Sequence, residues 1–188
     1  MSEPKRRGRP KKLVGGVDKK TVLQCAHSIL ETYGLEELTF RSIAAKLGVT
    51  AMAVKYHVGS REQLLRDIAA QTFEGIDASV SVGTPRAELR LLLVRYIELA
   101  LKNADLVRFL LSTPNCMPQS LRDFTSQVKY RTQALNGGDP GDVMLNLLID
   151  YIHGFVFAAD AAPNEISLTL DQCLNSIDWL MDVMDLGH

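Results

Sequence analysis

The sequence predicts an all-α protein, and three observations carry that reading. From Asp18 onward, apolar residues recur three and four positions apart. No segment shows the strict alternation of a half-buried strand, and no internal repeat is present. Clusters of glycine and proline divide the chain into pieces of helix length.

The elements follow in order. Asp18 is suited to cap a helix with Val22, Leu23, Ala26, Ile29, Leu30 and Tyr33 on one face, and Gly34 ends it. The stretch "LEELTFRSIAAKLGVTAMAVKYHVGS" then gives two very short helices. Thr39 caps the first, whose inward face is Ile43, Ala44 and Leu47. Gly48 supplies a turn that a side-chain-bearing residue would resist. Thr50 caps the second, which runs from Ala51 to about His57 with Val54 facing inward, and Gly59 breaks it. "SREQ", Ser60 to Gln63, is a capping box opening a helix with Leu64, Leu65, Ile68, Ala69 and Phe73 on its apolar side. After the Gly75 to Pro85 stretch, longer patterns run from about Pro85 to Asn103, Asp105 to Ser112, Gln119 to Leu135, Pro140 to Ala159 and Leu168 to Leu186.

A hydrophobic fraction of 46% excludes wholesale disorder. The apolar runs read as too short for the roughly 18 residues of a membrane span. The basic N-terminus lacks the apolar stretch of a signal peptide, which predicts a cytoplasmic protein without membrane partners. Cys25, Cys116 and Cys173 are widely spaced and form no CxxC pair, so neither a disulfide framework nor a metal site is expected.

Charge is distributed unevenly. Residues 1–66 hold 13 Lys or Arg against 6 Asp or Glu, a net of +7, while residues 67–188 hold 8 against 16, a net of −8. The first part suits a polyanion and the second would be repelled by one. Two short helices joined by a glycine turn, behind a full first helix and inside the basic half, read as a helix-turn-helix. A major groove roughly 12 Å wide admits such a helix. Its first residues, Thr50, Ala51, Met52 and Ala53, are small or adaptable enough to approach base edges. Lys55, Tyr56 and His57 at its far end suit phosphates.

"ETYGLEELTFRSIAAKLGVTAMAVKYHVGSREQLLRDIA" resembles the DNA-binding domain of the TetR family of bacterial one-component regulators, over about residues 18–73. The resemblance implies a homodimer, one operator-reading domain per subunit and a helical C-terminal domain that binds a small molecule and dimerises. The organisation expected is a basic arm over 1–17, a three-helix helix-turn-helix domain over 18–66 and a regulatory and dimerisation domain over 67–188. Arg41 matches the position from which a guanine is read, as a bidentate Arg–guanine contact allows. Thr50 and Ala51 to Ala53 match the variable base-facing positions, while Tyr56, His57 and Arg61 match phosphate-backbone contacts. Thr39, at the cap of the preceding helix, is counted with them. The chain departs from the family at Lys55, where tyrosine is usual, and at Met52, where small residues or proline are usual.

The opening "KRRGRPKK" resembles an AT-hook, with Arg7, Gly8, Arg9 and Pro10 as its centre. Glycine lets the backbone lie on the floor of a narrow A·T minor groove while the two arginines run along it. A generic basic tail is the alternative.

In the acidic half, the resemblance implies that the last two long helices form the dimer interface. Leu145, Ile149, Ile152 and Phe155 on one, and Trp179, Leu180 and Val183 on the other, are its candidates. Candidate effector contacts are Tyr96, Asn103, Phe109, Met117, Phe124, Tyr130, Tyr151 and His153, which combine apolar bulk with a few hydrogen-bonding tips. Each also fits a plain core role, and His153 fits either a satisfied core histidine or a polar clamp beside Asp150. The expected effector is apolar or aromatic, and no cofactor is expected. No nucleophile elbow, phosphate loop or paired carboxylates point to an enzyme. An architectural protein of A·T-rich DNA is the remaining alternative.

Overall fold

The computed structural model describes residues 17–81, 83–135, 138–161 and 168–186. Among the described residues there are nine α-helices and no strand: α1 (Lys19–Glu37), α2 (Phe40–Leu47), α3 (Ala51–Val58), α4 (Arg61–Thr72), α5 (Pro85–Lys102), α6 (Ala104–Ser112), α7 (Gln119–Gln133), α8 (Val143–Ala161) and α9 (Leu170–Leu186). The chain divides into two compact units after Arg61, at the start of α4.

The first unit is α1, α2 and α3 packed on one another. Asp18 caps α1 by accepting the Thr21 amide at 2.8 Å, a bond that holds its carboxyl below the usual carboxylate range. Gly34, at φ 80 and ψ 178, kinks the helix where the sequence expects it to end, in a region closed to other residues. The centre of this unit is Val22, Ala26, Ile43 and Val54, each fully buried.

In the second unit α5 packs against α7, α8 and α9, and α8 also meets α6, α7 and α9. The proline-rich link between α6 and α7 forms a 3-10 turn at Pro114–Cys116. Arg86 reaches Asp182 at 2.5 Å and Arg90 reaches Asp178 at 2.9 Å, pinning the start of α5 to α9 with pairs exposed enough to add only modest stability. Arg131 lies buried on α7, paired with Glu88 of α5 at 3.2 Å and donating to the Val80 carbonyl. Arg95 donates to the Ala78 carbonyl and Gln127 to that of Asp77, so three side chains hold the backbone of residues 77–80. The three cysteines are buried and unlinked.

One expectation is corrected here. Pro140–Ala161, which contains α8, is long and apolar enough to cross a membrane by length and composition. Apolar runs look shorter when they are broken at isolated polar residues such as Asn146 and Asp150, but the average character of a helix ignores those breaks. Met144, Leu145, Leu148, Ile152 and Val156 form its buried stripe.

The start of α8 depends on Asp139, which is 1% exposed and accepts the amides of Met144 at 2.8 Å and Leu145 at 3.0 Å. Such a carboxylate satisfies donors a helix N-terminus leaves orphaned. Asp139→Ala is expected to lower the unfolding free energy by about 2 kcal/mol, and Asp139→Asn by less, in urea denaturation at unchanged slope.

Candidate functional site

Two places in the chain gather the residues singled out by the sequence. In the first unit, α2 ends at Gly48 with φ 67 and ψ 30, left-handed values that return the chain tightly toward α3. Thr39 and Ser42 form a reciprocal capping box at the start of α2, each side chain accepting the other's amide at 3.0 Å. Thr50 does the same work for α3, its hydroxyl accepting the Ala53 amide at 3.1 Å. Both threonines therefore fix where the two short helices begin. With Val54 and Val58 buried, the opposite face of α3 is turned outward. Met52 is 74% exposed and Tyr56 is 85% exposed, one turn apart, with Lys55 beside them. The Tyr56 ring meets the edge of half-buried His57, at 5.3 Å between centroids. Ala51 and Ala53 are half-buried at the start of the helix, and Arg41 stands exposed in the first turn of α2. Leu47, expected on the inner face, is only half-buried.

Arg61 is placed differently from its sequence assignment. Its guanidinium donates to the carbonyls of Leu38 and Leu35, both at 3.2 Å, and so clasps the link between α1 and α2. Arg7, Gly8, Arg9 and Pro10 lie outside the described residues.

In the second unit a cavity of about 130 Å³ opens between α5, α6, α7 and α8. Tyr96 enters from α5, Val107, Leu110 and Leu111 from α6, Met117 from the link, Leu121, Phe124 and Thr125 from α7, and Ile149 and His153 from α8. The Tyr96 hydroxyl and His153 Nε2 share a hydrogen bond of 2.6 Å. Burial pushes the tyrosine hydroxyl's pKa up and the imidazole's down, so both are neutral near pH 7. Tyr96 also stacks on Phe124 at 5.3 Å and leans toward Phe73 at 6.4 Å.

Four of the eight effector candidates, Tyr96, Met117, Phe124 and His153, thus meet at one cavity. The other four do not line it. Asn103 closes α5 by donating to the Leu99 carbonyl. Phe109 is half-buried on another face of α6, and Tyr130 is 70% exposed on the far turns of α7. Tyr151 faces an open groove between α8 and α9, together with Leu147, Asn175, Ser176, Trp179 and Leu180. Val107, Leu110, Leu121 and Ile149 escape sequence reasoning as lining residues, because aliphatic side chains carry no signal beyond core.

The interface candidates on α8 need correction as well. Leu145 and Ile152 are buried within the protomer, and Ile149 lines the cavity. The outward stripe is Val143, Leu147 and the half-buried Tyr151 and Phe155, spaced by four, so of the four α8 candidates Phe155 lies on it. On α9, Trp179 at 66% and Val183 at 44% are exposed as expected of an outward face, with Leu180 half-buried. Among the described residues no group of three His, Cys, Asp or Glu is placed to hold a metal ion.

A three-helix unit built around a helix-turn-helix, followed by a helical unit enclosing a small apolar cavity, defines an all-α two-unit architecture. Solved TetR-family regulators share this fold. BioQ of Mycobacterium smegmatis matches with a TM-score of 0.73 at 19% identity, covering 92% of this chain and 100% of that one. A structure of BioQ with its natural double-stranded DNA operator gives the same TM-score at 20% identity, covering 90% and 98%. The regulator SCO7222, a TetR from Streptomyces coelicolor, gives 0.67 at 16% identity, covering 92% and 99%. The TetR family protein ActR of Streptomyces coelicolor, solved in complex with (S)-DNPA, gives 0.60 at 18% identity, covering 93% and 98%. No family sequence model and no curated protein sequence matches the chain.

The Arg61 clasp is testable by itself. Arg61→Ala is expected to lose about 1 kcal/mol of stability in the first unit and to speed amide exchange at Leu35 to Leu38 by several-fold. Unchanged exchange there would show that the two hydrogen bonds hold nothing in place.

Proposed function

We propose that this chain is a ligand-responsive, sequence-specific transcriptional repressor, which binds a palindromic operator as a homodimer and is released by a small molecule. The observation that carries the reading is the outward face of α3. A methionine, a lysine and a tyrosine stand in solvent on a short, well-capped helix, where packing gives them no employment, and Arg41 is exposed on the preceding helix. Large side chains left so exposed together on a basic unit suit an interface with DNA. Arg41 reads a guanine edge, and Ala51 to Ala53 allow the helix to sit close to the bases. Lys55, Tyr56 and His57 lie along phosphates and set the register. Thr39 and Thr50 contribute through the caps that aim the two helices. The solved BioQ–operator complex supports DNA as the partner, and the ActR complex with (S)-DNPA supports a small-molecule ligand. The protein acts in the cytoplasm, where its DNA is, and carries no catalytic step.

Dimerisation uses the α8–α9 groove, where exposed Leu147 and Trp179 and half-buried Tyr151 form an apolar surface continued by exposed Val183. The basic arm of residues 1–17 follows the minor groove beside each half-site. Effector binding favours a state in which two reading heads no longer meet major grooves one helical turn apart. To move such an equilibrium from one per cent to ninety-nine, an effector must prefer one state by about 5.5 kcal/mol.

Selection of bound genome fragments by the purified protein tests the reading. The expected result is a palindromic site with an A·T-rich flank, and Arg41→Ala should weaken its binding by about 1–3 kcal/mol and relax preference at one base pair per half-site. Deleting residues 1–12 should weaken binding and reduce the salt slope by about 0.9 for each phosphate that the arm no longer neutralises. Broad recovery of A·T-rich duplexes without a palindrome would favour the architectural alternative. Trp179→Asp should convert the dimer to a monomer in sedimentation, and a variant sedimenting like the wild type would remove α9 from the interface.

A further inference from the structure

The cavity in the second unit is more selective than its apolar walls suggest. None of its lining residues is Lys, Arg, Asp or Glu. A charged ligand would therefore lose hydration and meet no counter-charge among the lining residues. The volume of about 130 Å³ is close to that of an engineered cavity, about 150 Å³, that accepts benzene. The walls thus set the guest's charge and the size of the part they enclose, the cavity being open at exposed Leu111 and Thr125.

Specificity comes from the polar pair. Tyr96 and His153 are both neutral, so together they hold two exchangeable protons, one on the phenol or its bond and one on the ring. Their mutual hydrogen bond uses only one of these. If the tyrosine donates, the proton on His153 Nδ1 is left over. If His153 donates from Nε2, the Tyr96 O–H is left over, and the phenol oxygen accepts and donates together. In this second arrangement a donor is offered by the Tyr96 hydroxyl, a group of a cavity-lining residue 6% exposed. The remaining wall hydroxyl, Thr125, already donates to the Leu121 carbonyl at 2.9 Å. At 2.6 Å the pair suits a phenol donating to the imidazole, so a guest's acceptor has to draw it into the second arrangement to use the Tyr96 proton.

We infer that the cavity binds a neutral, single-ring compound bearing one hydrogen-bond acceptor, and that Tyr96 donates to that acceptor while His153 Nε2–H donates to the Tyr96 oxygen. This rests on the proposed reading of the second unit as the effector-binding part. It goes further in naming the effector's size, its charge and the atom that recognises it. Phe124 stacks on the Tyr96 ring at 5.3 Å and holds its orientation.

Calorimetric titration of the full chain with acetophenone, toluene, benzoate and benzylammonium tests this. Acetophenone is expected to bind at least tenfold more tightly than either ion and several-fold more tightly than toluene. Tyr96→Phe, which keeps the ring and its stack, should bring acetophenone down to the level of toluene without altering toluene itself. His153→Gln, whose amide can still donate to the Tyr96 oxygen, should retain acetophenone binding within about threefold, and it serves if Tyr96→Phe fails to fold. Benzoate or benzylammonium binding as tightly as acetophenone, Tyr96→Phe leaving acetophenone unchanged, or no neutral compound binding at millimolar concentration would each overturn the inference. Operator selection on the same preparation separates the two readings. DNA bound with none of these ligands removes the ligand class alone, whereas ligand bound with no duplex selected removes the regulator reading.

Discussion

A tyrosine hydroxyl placed inside an apolar helical unit has to find a partner, and the second unit is arranged around that requirement. Tyr96 is 6% exposed, and an unmet hydroxyl at that depth costs on the order of 1–3 kcal/mol. Its hydrogen bond to His153 ties α5 to α8 at a point where most other neighbours are aliphatic or aromatic. Phe124 of α7 and Phe73 at the end of α4 pack on the same ring, so with His153 three segments converge on one side chain of a fourth. His153 in turn stacks on Phe157, over which Arg108 lies at 4.8 Å from the ring centroid. A packing defect is hard to avoid where two planar rings must also satisfy hydrogen-bond geometry among branched aliphatics, and the cavity lies beside that pair. The cavity and the polar pair are one feature seen from two sides.

The first unit obeys a different constraint. Helices of eight residues are too short to be stable by propensity. α2 and α3 persist because their ends are closed by Thr39, Ser42, Gly48 and Thr50, and because Ile43, Ala44, Val54 and Val58 are buried. Closing the ends so completely leaves the outer face free of any structural duty. Met52 and Tyr56 can stand in solvent because nothing in the fold needs them elsewhere. A surface whose residues are irrelevant to stability is one where chemistry toward a partner can be chosen freely.

These two constraints differ in how well the sequence displays them. Caps, glycine turns and helix limits are local and chemically distinctive, so α1 to α3 and the bounds of α5 and α7 are legible within a few residues. The outward placement of Met52, Lys55 and Tyr56 follows from Val54 facing inward. Facial assignment fails on α8, where apolar residues surround the helix and periodicity has no phase. Leu145, Ile149 and Ile152 are indistinguishable in sequence from an outer stripe that in fact runs through Val143, Leu147 and Tyr151. Tyr130 and Asn103 stand out by their chemistry alone. Whether such a side chain turns toward a cavity or away from it depends on the packing of other helices. Arg61 shows a further limit, because its partners Leu38 and Leu35 lie 23 and 26 positions away along the chain.

The charge pattern links the two units to one use. A chain of net charge −1 would gain nothing from its overall field in approaching a polyanion. At physiological salt, however, charges beyond about 8 Å are largely screened, so what a phosphate senses is the local surface. The +7 of residues 1–66 then attracts at short range, while the −8 of residues 67–188 disfavours any approach that brings the second unit to the DNA first. Under the proposed reading this asymmetry orients each encounter before any base is touched. Separation of sign along the chain does for orientation what the capped helices do for position. Neither requires the protein as a whole to be basic.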